Sequence, residues 1–393
     1  MKKIALSLEK FSRFSGGAES YAVELAETLQ NNGWEVHLIG QSWDGNPRGA
    51  VFHKIPCVPK FVPPSLRILY FALSHRSLVR KMDMDVVVGF GNTIEMNVYQ
   101  SHGGVHFISS LKKIRAEREP LSRIVKTILT FVSPKSLARA WIESAPFRKK
   151  TMPAIIAISD MVRNDICKRY KLPPPQIHLI YNGVDLHRFA GRLGKEQSQN
   201  FRTSLGFSNE VLFLFMAYDF RKKGVRYLLE AAAKLRDDVG EGKFGVVVVG
   251  SSPSPSLLAT IRTLRLETTL VFRGPTKEPE HYYEACDVFV LPTFYDACSL
   301  VVFEAMACGL PAITTVDNGA SGIVTDLVDG SVLDDPRDVE TMAASMKRFL
   351  DRDYLSKASL AAQRKASRYS IEANHSKMLA IFEAIAKRDD SSR

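Results

Sequence analysis

The chain has 393 residues, 45% of them apolar and 24% charged, with 53 Lys and Arg against 42 Asp and Glu. Single cores stop growing at roughly 250–300 residues, so two domains are expected, and this composition excludes a disordered, collagen-like or polytopic membrane chain. The net charge of +11 points to an anionic partner: nucleic acid, a membrane surface or phosphorylated small molecules.

The first forty residues read as a β-α-β unit. Ile4–Leu8 is a predicted strand and Ser15-Gly16-Gly17 a loop; Ala22, Leu25, Ala26 and Leu29 then recur at helical spacing until Asn32-Gly33 stops the helix. Glu35–Gly40 is the next strand, followed by apolar runs at Val86–Val88, Val98–Gln100, Ile155–Ile158 and Ile177–Tyr181. Pro173-Pro174-Pro175 and Asn182-Gly183-Val184-Asp185 break the pattern, and GRLGKEQSQN from Gly191 reads as a linker. The rhythm restarts with strands at Leu212–Met216, Gly245–Val249, Val271–Arg273, Val288–Leu291 and Ala312–Thr314, and a helix at Val225–Leu235. Strands alternating with helices predict an α/β protein of two doubly wound, Rossmann-like domains, residues 1–190 and 191–370. They are expected to face each other across a cleft, with ligands beyond the carboxyl ends of the strands. A last helix, within residues 371–393, is expected to pack back on the first domain and end in a frayed polar tail, Asp389 to Arg393.

The positive charge is concentrated. Residues 107–150 hold eleven basic side chains against Glu117, Glu119 and Glu143, and the remainder of the chain is close to neutral. Lys112, Lys113 and Arg115 open this stretch, and apolar residues such as Leu121, Ile124, Ile128 and Trp141 interleave the charges. A basic amphipathic segment of this kind suits an anionic bilayer surface; a helix pair packing its apolar stripe on its own domain has the same pattern. Aromatic platforms for bases are sparse, so no nucleic acid is expected. No run approaches the ~18 apolar residues of a spanning helix, and Ile4–Leu8 is too short for a secretory signal. The five scattered cysteines include no C-x-x-C pair, so neither a disulfide framework nor a zinc site is indicated. A cytoplasmic protein, peripheral on the inner face of the membrane, is the expectation.

The strongest constellation for chemistry is VLPTFYDACSLVVFEAMACGLPAITT, from Val290. A strand leads to a loop with Asp296, then to a helix from about Cys298 to Cys308, ended by Gly309 and Pro311. The amides of Cys298, Ser299 and Leu300 at the helix start would form an anion site suited to a diphosphate. Glu304, a carboxylate among apolar residues, needs a partner, and the vicinal hydroxyls of a ribose would serve. The plainer alternative is that Asp296 caps the helix and Glu304 pairs with a lysine. In Asp219-Phe220-Arg221-Lys222-Lys223-Gly224 three cations stand between a strand and a helix, which suits a phosphate leaving group; a solvated turn could carry them too. Gly16 and Gly17 allow close approach of a phosphate or sugar, although helix entry turns commonly carry Gly. His102, at a strand end in Tyr99-Gln100-Ser101-His102-Gly103-Gly104, can donate or accept near neutral pH or serve structure alone. Asp83-Met84-Asp85 has the form of a metal–diphosphate motif but precedes its strand. Gly89-Phe90-Gly91 lacks the third glycine of a dinucleotide fingerprint.

Taken in order, these pieces resemble the family 4 glycosyltransferases of the GT-B fold. The resemblance rests on Gly16-Gly17-Ala18-Glu19, Ala157-Ile158-Ser159, Tyr181-Asn182-Gly183-Val184-Asp185 with Phe189, and Arg221-Lys222-Lys223-Gly224-Val225. It continues in Val271-Phe272-Arg273-Gly274, Ala285-Cys286-Asp287-Val288 and Glu304-Ala305-Met306-Ala307-Cys308-Gly309-Leu310-Pro311. Gln41-Ser42-Trp43-Asp44-Gly45 and Asp219 to Gly224 look most like the lipopolysaccharide core glucosyltransferase I group.

The resemblance implies retaining transfer of a hexose, glucose as best guess, from a UDP-sugar to a lipopolysaccharide core or other glycolipid, with no cofactor and no metal. It implies Asp296 and Glu304 as the paired carboxylates, with Asp296 where the family usually has Glu and Glu304 on the nucleotide ribose. Lys223 would be the diphosphate lysine, and with Tyr218 at the family's usual Arg position, Lys222 or Arg221 would supply the second cation. His102 would lie near the donor sugar, Gly16, Gly17, Ser299 and Leu300 on the donor, and Glu19, Lys112, Lys113 and Arg115 toward the acceptor or membrane. Ser20 stands where the family often has Arg. The alternatives are a family 4 transferase with another sugar or a polysaccharide or polyprenyl acceptor, and, from another class, a non-catalytic nucleotide-sugar or nucleic-acid-binding protein.

Overall fold

A computed structural model of the chain describes residues 1–13, 16–44, 49–189 and 194–390. Ser15, Gly45, residues 191–193 of the expected linker and 391–393 of the expected tail lie outside the described residues. The chain forms two compact units, Met1–Tyr181 with Glu372–Arg393, and Asn182–Ile371.

The first unit contains β1 (Lys3–Ser7), β2 (Lys10–Ser12), α1 (Gly17–Asn31), β3 (Glu35–Gly40), β4 (Ser42–Asp44) and β5 (Val51–Lys54). Then come α2 (Pro64–Val79), β6 (Val86–Gly89), β7 (Val98–Ser101), α3 (His106–Ile114), α4 (Pro120–Val132), α5 (Pro134–Ser144), β8 (Ala154–Ala157), α6 (Asp160–Tyr170) and β9 (Ile177–Leu179). Seven parallel strands run in the order β5-β3-β1-β6-β7-β8-β9, and β2 pairs with β4 alongside. The chain moves outward from β1 through β3 to β5, then crosses to β6 on the other side of β1. The strand order therefore reverses between β1 and β6, which is where such sheets open a crevice. Ile4, Ala5 and Leu6 of β1 and Val86 and Val88 of β6 are fully buried, the apolar run required of a parallel strand covered on both faces.

The second unit contains α7 (Leu186–Phe189), α8 (Lys195–Ser204), β10 (Val211–Ala217), α9 (Val225–Val239), β11 (Phe244–Gly250), α10 (Pro255–Thr263), β12 (Leu270–Arg273) and α11 (Pro279–Ala285). It continues with β13 (Val288–Leu291), α12 (Leu300–Ala307), β14 (Ala312–Thr315), β15 (Gly330–Leu333), α13 (Val339–Arg348) and α14 (Arg352–Ala366). Its six parallel strands run β12-β11-β10-β13-β14-β15, so the order reverses between β10 and β13. The helix α15 (Ile371–Asp390) belongs to the first unit from Glu372 on, where Tyr21 donates to Asn374 Oδ1 at 2.9 Å and Thr28 bonds His375 Nδ1 at 2.7 Å.

Two expectations need correction. The division falls after Tyr181, not at 190. Residues 182–189 are tied into the second unit because Asn182 Nδ2 donates to Cys298 O at 3.0 Å and Cys308 Sγ to Phe189 O at 2.9 Å. Gly183 sits so close to Ser370 and Ile371 that a Cβ would meet backbone at 2.5 Å. The expected linker is helical from Lys195, because α8 has an anchor: Arg202 Nη1 bonds Ala285 O at 2.7 Å and Asp287 Oδ2 at 3.0 Å. Strands β5 and β15, VFHK and GSVL, are not predicted; each is short and mixed in polarity.

The basic stretch folds as α3, α4 and α5. In α4 no residue is buried: Leu121 is 72% exposed and Ile128 55%. The apolar stripe of α4 therefore faces outward. Phe107 stacks on Phe131 with ring centres 5.4 Å apart, which holds α3 to α4. Among the described residues no helix is long and apolar enough to cross a membrane.

Candidate active site

The second unit places two charged loops at its reversal point. The loop after β10 runs from Tyr218 to Gly224, and the loop after β13 from Pro292 to Ser299. They touch closely: Phe294 N donates to Lys222 O at 3.0 Å, and a Cβ on Gly224 would stand 2.0 Å from Pro292 O. Gly224 also has φ +76°, which favours glycine, so both space and backbone select it. This contact delivers Lys223 to Asp296, whose Oδ2 accepts from Lys223 Nζ.

The neighbouring lysine of the loop is placed differently. Lys222 Nζ bonds Asp219 Oδ2 at 2.5 Å, three residues back. Burial pushes the Asp219 carboxyl up, but the ammonium and amide of Lys222, with Arg221, more than offset it and hold the group below its usual range. Lys222 is thus held within its own turn, and Lys223 alone of the two lysines reaches across to Asp296.

The start of α12 differs from expectation. The helix begins at Leu300, because Ser299 has extended backbone (φ −70°, ψ 114°). Two of the three amides expected to meet an anion already have side-chain acceptors. Cys298 N donates to Asp296 Oδ1 at 3.2 Å, and Ser299 N to Asn318 Oδ1 at 3.3 Å. Asp296 is therefore both a loop cap and the partner of Lys223. Glu304 does not pair with a lysine in the hydrogen bond it shows: Tyr283 OH donates to its Oε2 at 2.8 Å. Burial first, then the adjacent Glu304 carboxylate, raises the Tyr283 phenol well above its ordinary value, so it stays a donor. Tyr283 and Asn318 are not singled out by the sequence; one is an aromatic on a short helix and the other lies nineteen residues beyond Ser299.

In the first unit, Gly16 precedes α1 with φ +83°, and a Cβ there would lie 2.2 Å from Glu19 Oε2. The Glu19 carboxylate already covers the glycine, an anion at a helix start. His102 follows β7 with its ring 5.1 Å from Tyr21 and 5.4 Å from Phe90. Its Nε2 is buried and has no hydrogen-bond partner among the described residues, and burial lowers its pKa to about 4. Lys112 and Lys113 lie in the last turn of α3 and Arg115 follows it. Among the described residues no group of three or more His, Cys, Asp or Glu side chains is placed to hold a metal ion.

The profile described as "Glycosyltransferase Family 4" matches residues 15–188, and "Glycosyl transferases group 1" matches 197–370. The chain belongs to the family 4 glycosyltransferases. Across 358 residues, 90% of each chain, this glycosyltransferase is 23% identical to "Lipopolysaccharide glucosyltransferase WaaG" of Escherichia coli (strain K12). It is also 23% identical, over 89% of its length and 88% of the relative's, to the "UDP-Gal:alpha-D-GlcNAc-diphosphoundecaprenol alpha-1,3-galactosyltransferase" of Escherichia coli. Its fold matches the crystal structure of "WaaG, a glycosyltransferase involved in lipopolysaccharide biosynthesis" with a TM-score of 0.78 at 22% identity, covering 96% of this chain and 99% of that one. The GT-B glycosyltransferase fold and its two parallel-sheet units are thereby established, and the loops bearing Lys223 and Asp296 belong to the second of them.

Proposed function

We propose that this glycosyltransferase moves a hexose, with glucose the first candidate, from a UDP-sugar to a lipopolysaccharide core or related glycolipid, with retention at the anomeric carbon. The observation that carries the reading is the Lys223–Asp296 pair at the β10/β13 reversal, with Glu304 on the helix that follows. The nucleotide diphosphate would take Lys223 as its cation, and Glu304, held by Tyr283, would receive the ribose hydroxyls. As the bond to the sugar breaks, negative charge grows on the leaving phosphate, and a fixed ammonium stabilises it. With no side-chain nucleophile assigned, the leaving phosphate oxygen would take the acceptor proton on the same face, which preserves configuration. Binding of an incoming diphosphate requires Lys223 to exchange a carboxylate for a phosphate, so Asp296 is left to hydrogen-bond the donor sugar. His102, neutral through the physiological range, would act as a hydrogen-bond partner to the sugar, not as an acid. Gly16, Gly17, Ser299 and Leu300 remain candidates along the donor, and Glu19 toward the acceptor.

The outward apolar stripe of α4, with cations on α3 and α5, supports a peripheral position on an anionic membrane, where a glycolipid acceptor resides. The relative that carries diphosphoundecaprenol in its name supports a second reading, a polyprenyl-linked acceptor. Mass spectrometry after incubation with a panel of UDP-sugars and either truncated lipopolysaccharide or a polyprenyl diphosphate sugar separates the two. Transfer to neither, with donor hydrolysis absent as well, would overturn the reading.

A further inference from the structure

One cavity of the first unit lies apart from that unit's His102 and Gly16 turn. It occupies about 1280 Å³ at the amino ends of β7, β8 and β9, beside Asn97, Ala154 and Gln176. His102 and the Gly16 turn stand at the carboxyl ends of strands in the same sheet. At about 3.3 Å per residue, four-residue strands separate the two ends by roughly 10–13 Å.

The lining is strongly basic. Arg76, Arg80, Arg148, Lys149 and Lys150 contribute five cations against a single carboxylate, Glu95. That carboxylate gathers three of them: Lys149 Nζ at 2.7 Å, Arg80 Nε at 3.1 Å and Arg76 Nε at 3.7 Å. Burial pushes Glu95 upward, and Lys149 and Arg80 bring it below its usual value, so it stays ionised and acts as an organiser of the wall. Arg148 is fixed separately, donating to Trp141 O at 3.0 Å with its guanidinium 5.4 Å from the Trp141 ring centre. Trp141 is 43% exposed at the rim and offers an apolar face beside the charge. Several cations held apart on different elements around one carboxylate leave a surplus that a single phosphate would not match.

We infer that this basin is a second, non-catalytic site for a ligand bearing clustered phosphates. The volume accommodates two or more phosphates with a saccharide or nucleoside body against Trp141. The shared chemistry has two sources, a soluble polyphosphorylated molecule or the headgroup of an anionic lipid. The inference does not depend on the donor or acceptor chosen above.

Isothermal titration of tripolyphosphate into the 393-residue chain, with UDP held at saturation, reads the site. Arg148→Gln combined with Lys150→Gln should weaken tripolyphosphate binding at least tenfold and leave UDP affinity within twofold. Lys135→Gln, in the same basic stretch but outside the basin, should leave tripolyphosphate binding within twofold. Should the double variant lose its fold by circular dichroism, Lys150→Gln alone should weaken binding about threefold. Vesicles of phosphatidylglycerol in phosphatidylcholine identify the source. Vesicle binding lost in the Gln variants and displaced by tripolyphosphate assigns a lipid headgroup; vesicle binding retained with tripolyphosphate binding lost assigns a soluble ligand. Tripolyphosphate that fails to bind below 1 mM, or binds the wild type and the Gln variants alike, overturns the inference.

Discussion

Lys223 donates through Nζ to Asp296 Oδ2, so an ion pair joins the loops that follow β10 and β13, the two strands flanking the reversal of the second sheet. Both partners are only partly exposed, at 21% and 23% of their side-chain surface. In the proposed reaction the Lys223 ammonium, beside the ends of these two parallel strands, would receive the phosphate of the departing nucleotide. The same pairing keeps Asp296 in place without donor.

Glu304 and Tyr283 form the second half of this site. Glu304→Gln keeps the shape and removes the charge, and should weaken UDP binding about tenfold, equivalent to about 1.4 kcal/mol. Tyr283→Phe removes only the hydroxyl that orients Glu304, and should weaken UDP binding by a few-fold. Calorimetric titration with UDP checks both; unchanged affinity in Glu304→Gln would remove the ribose assignment.

Gly224 fixes the register between the two loops. Gly224→Ala would place a methyl 2.0 Å from Pro292 O at a φ of +76°, so the loop bearing Lys223 must move. The variant should lose stability by about 2 kcal/mol or more, and turnover by a larger factor than the stability loss explains. Urea unfolding and initial rates on the same preparation test this. Gly242→Ala, at φ +71° with open space around it, is the control and should affect stability alone.

Acid should destabilise the chain between pH 6.5 and 4. Burial lowers the pKa of His75 to about 4, with Glu95 opposing the shift, and burial lowers His102 to the same range. The unfolded chain takes up these protons near pH 6.5 and the folded chain only near 4. Stability is therefore full above pH 6.5 and falls through that window, by up to about 1.4 kcal/mol per pH unit for each fully buried group. Urea midpoints at pH 7.5, 6 and 5 should decline in order, and His75→Gln should reduce the slope by one group. A flat profile would contradict the burial of these rings.

The exposed face of α4 supplies a prediction for membranes. Leu121, Ile124 and Ile128 are half or more exposed. Inserting such partly exposed side chains is worth about 1 kcal/mol each, so Leu121→Ser, Ile124→Ser and Ile128→Ser together should reduce vesicle partitioning roughly a hundredfold. Unfolding midpoints should barely change, since none of the three is buried. Vesicle co-sedimentation that survives the triple substitution would place membrane contact elsewhere.

Much of the fold is legible in the sequence because parallel strands are written as short unbroken apolar runs. Val288–Leu291 is predicted and observed with the same ends, and the four valines of β11 mark a strand buried at every position. The edge strand β5 escapes notice because only one of its sides has a neighbour in the sheet, so its residues stay mixed. The helix α8 escapes because its sequence, KEQSQNFRTS, is polar; its stability comes from Arg202 reaching Ala285 and Asp287, more than eighty residues away. At the site, the loop and apolar helix after β13, with the family resemblance, point to Asp296 and Glu304, but not to the occupants of the α12 amides. Asn318 is recruited to Ser299 N only by the folding of β14 beside β13, a relation no local pattern contains.

The most direct test is single-turnover consumption of UDP-sugar by the wild type and by Lys223→Ala, using whichever donor the screen identifies. With the fold verified by circular dichroism, Lys223→Ala should lower the rate by about a hundredfold or more, the usual cost of removing one fixed donor from developing charge. A rate within twofold of the wild type would contradict the assignment of this ion pair to the departing diphosphate.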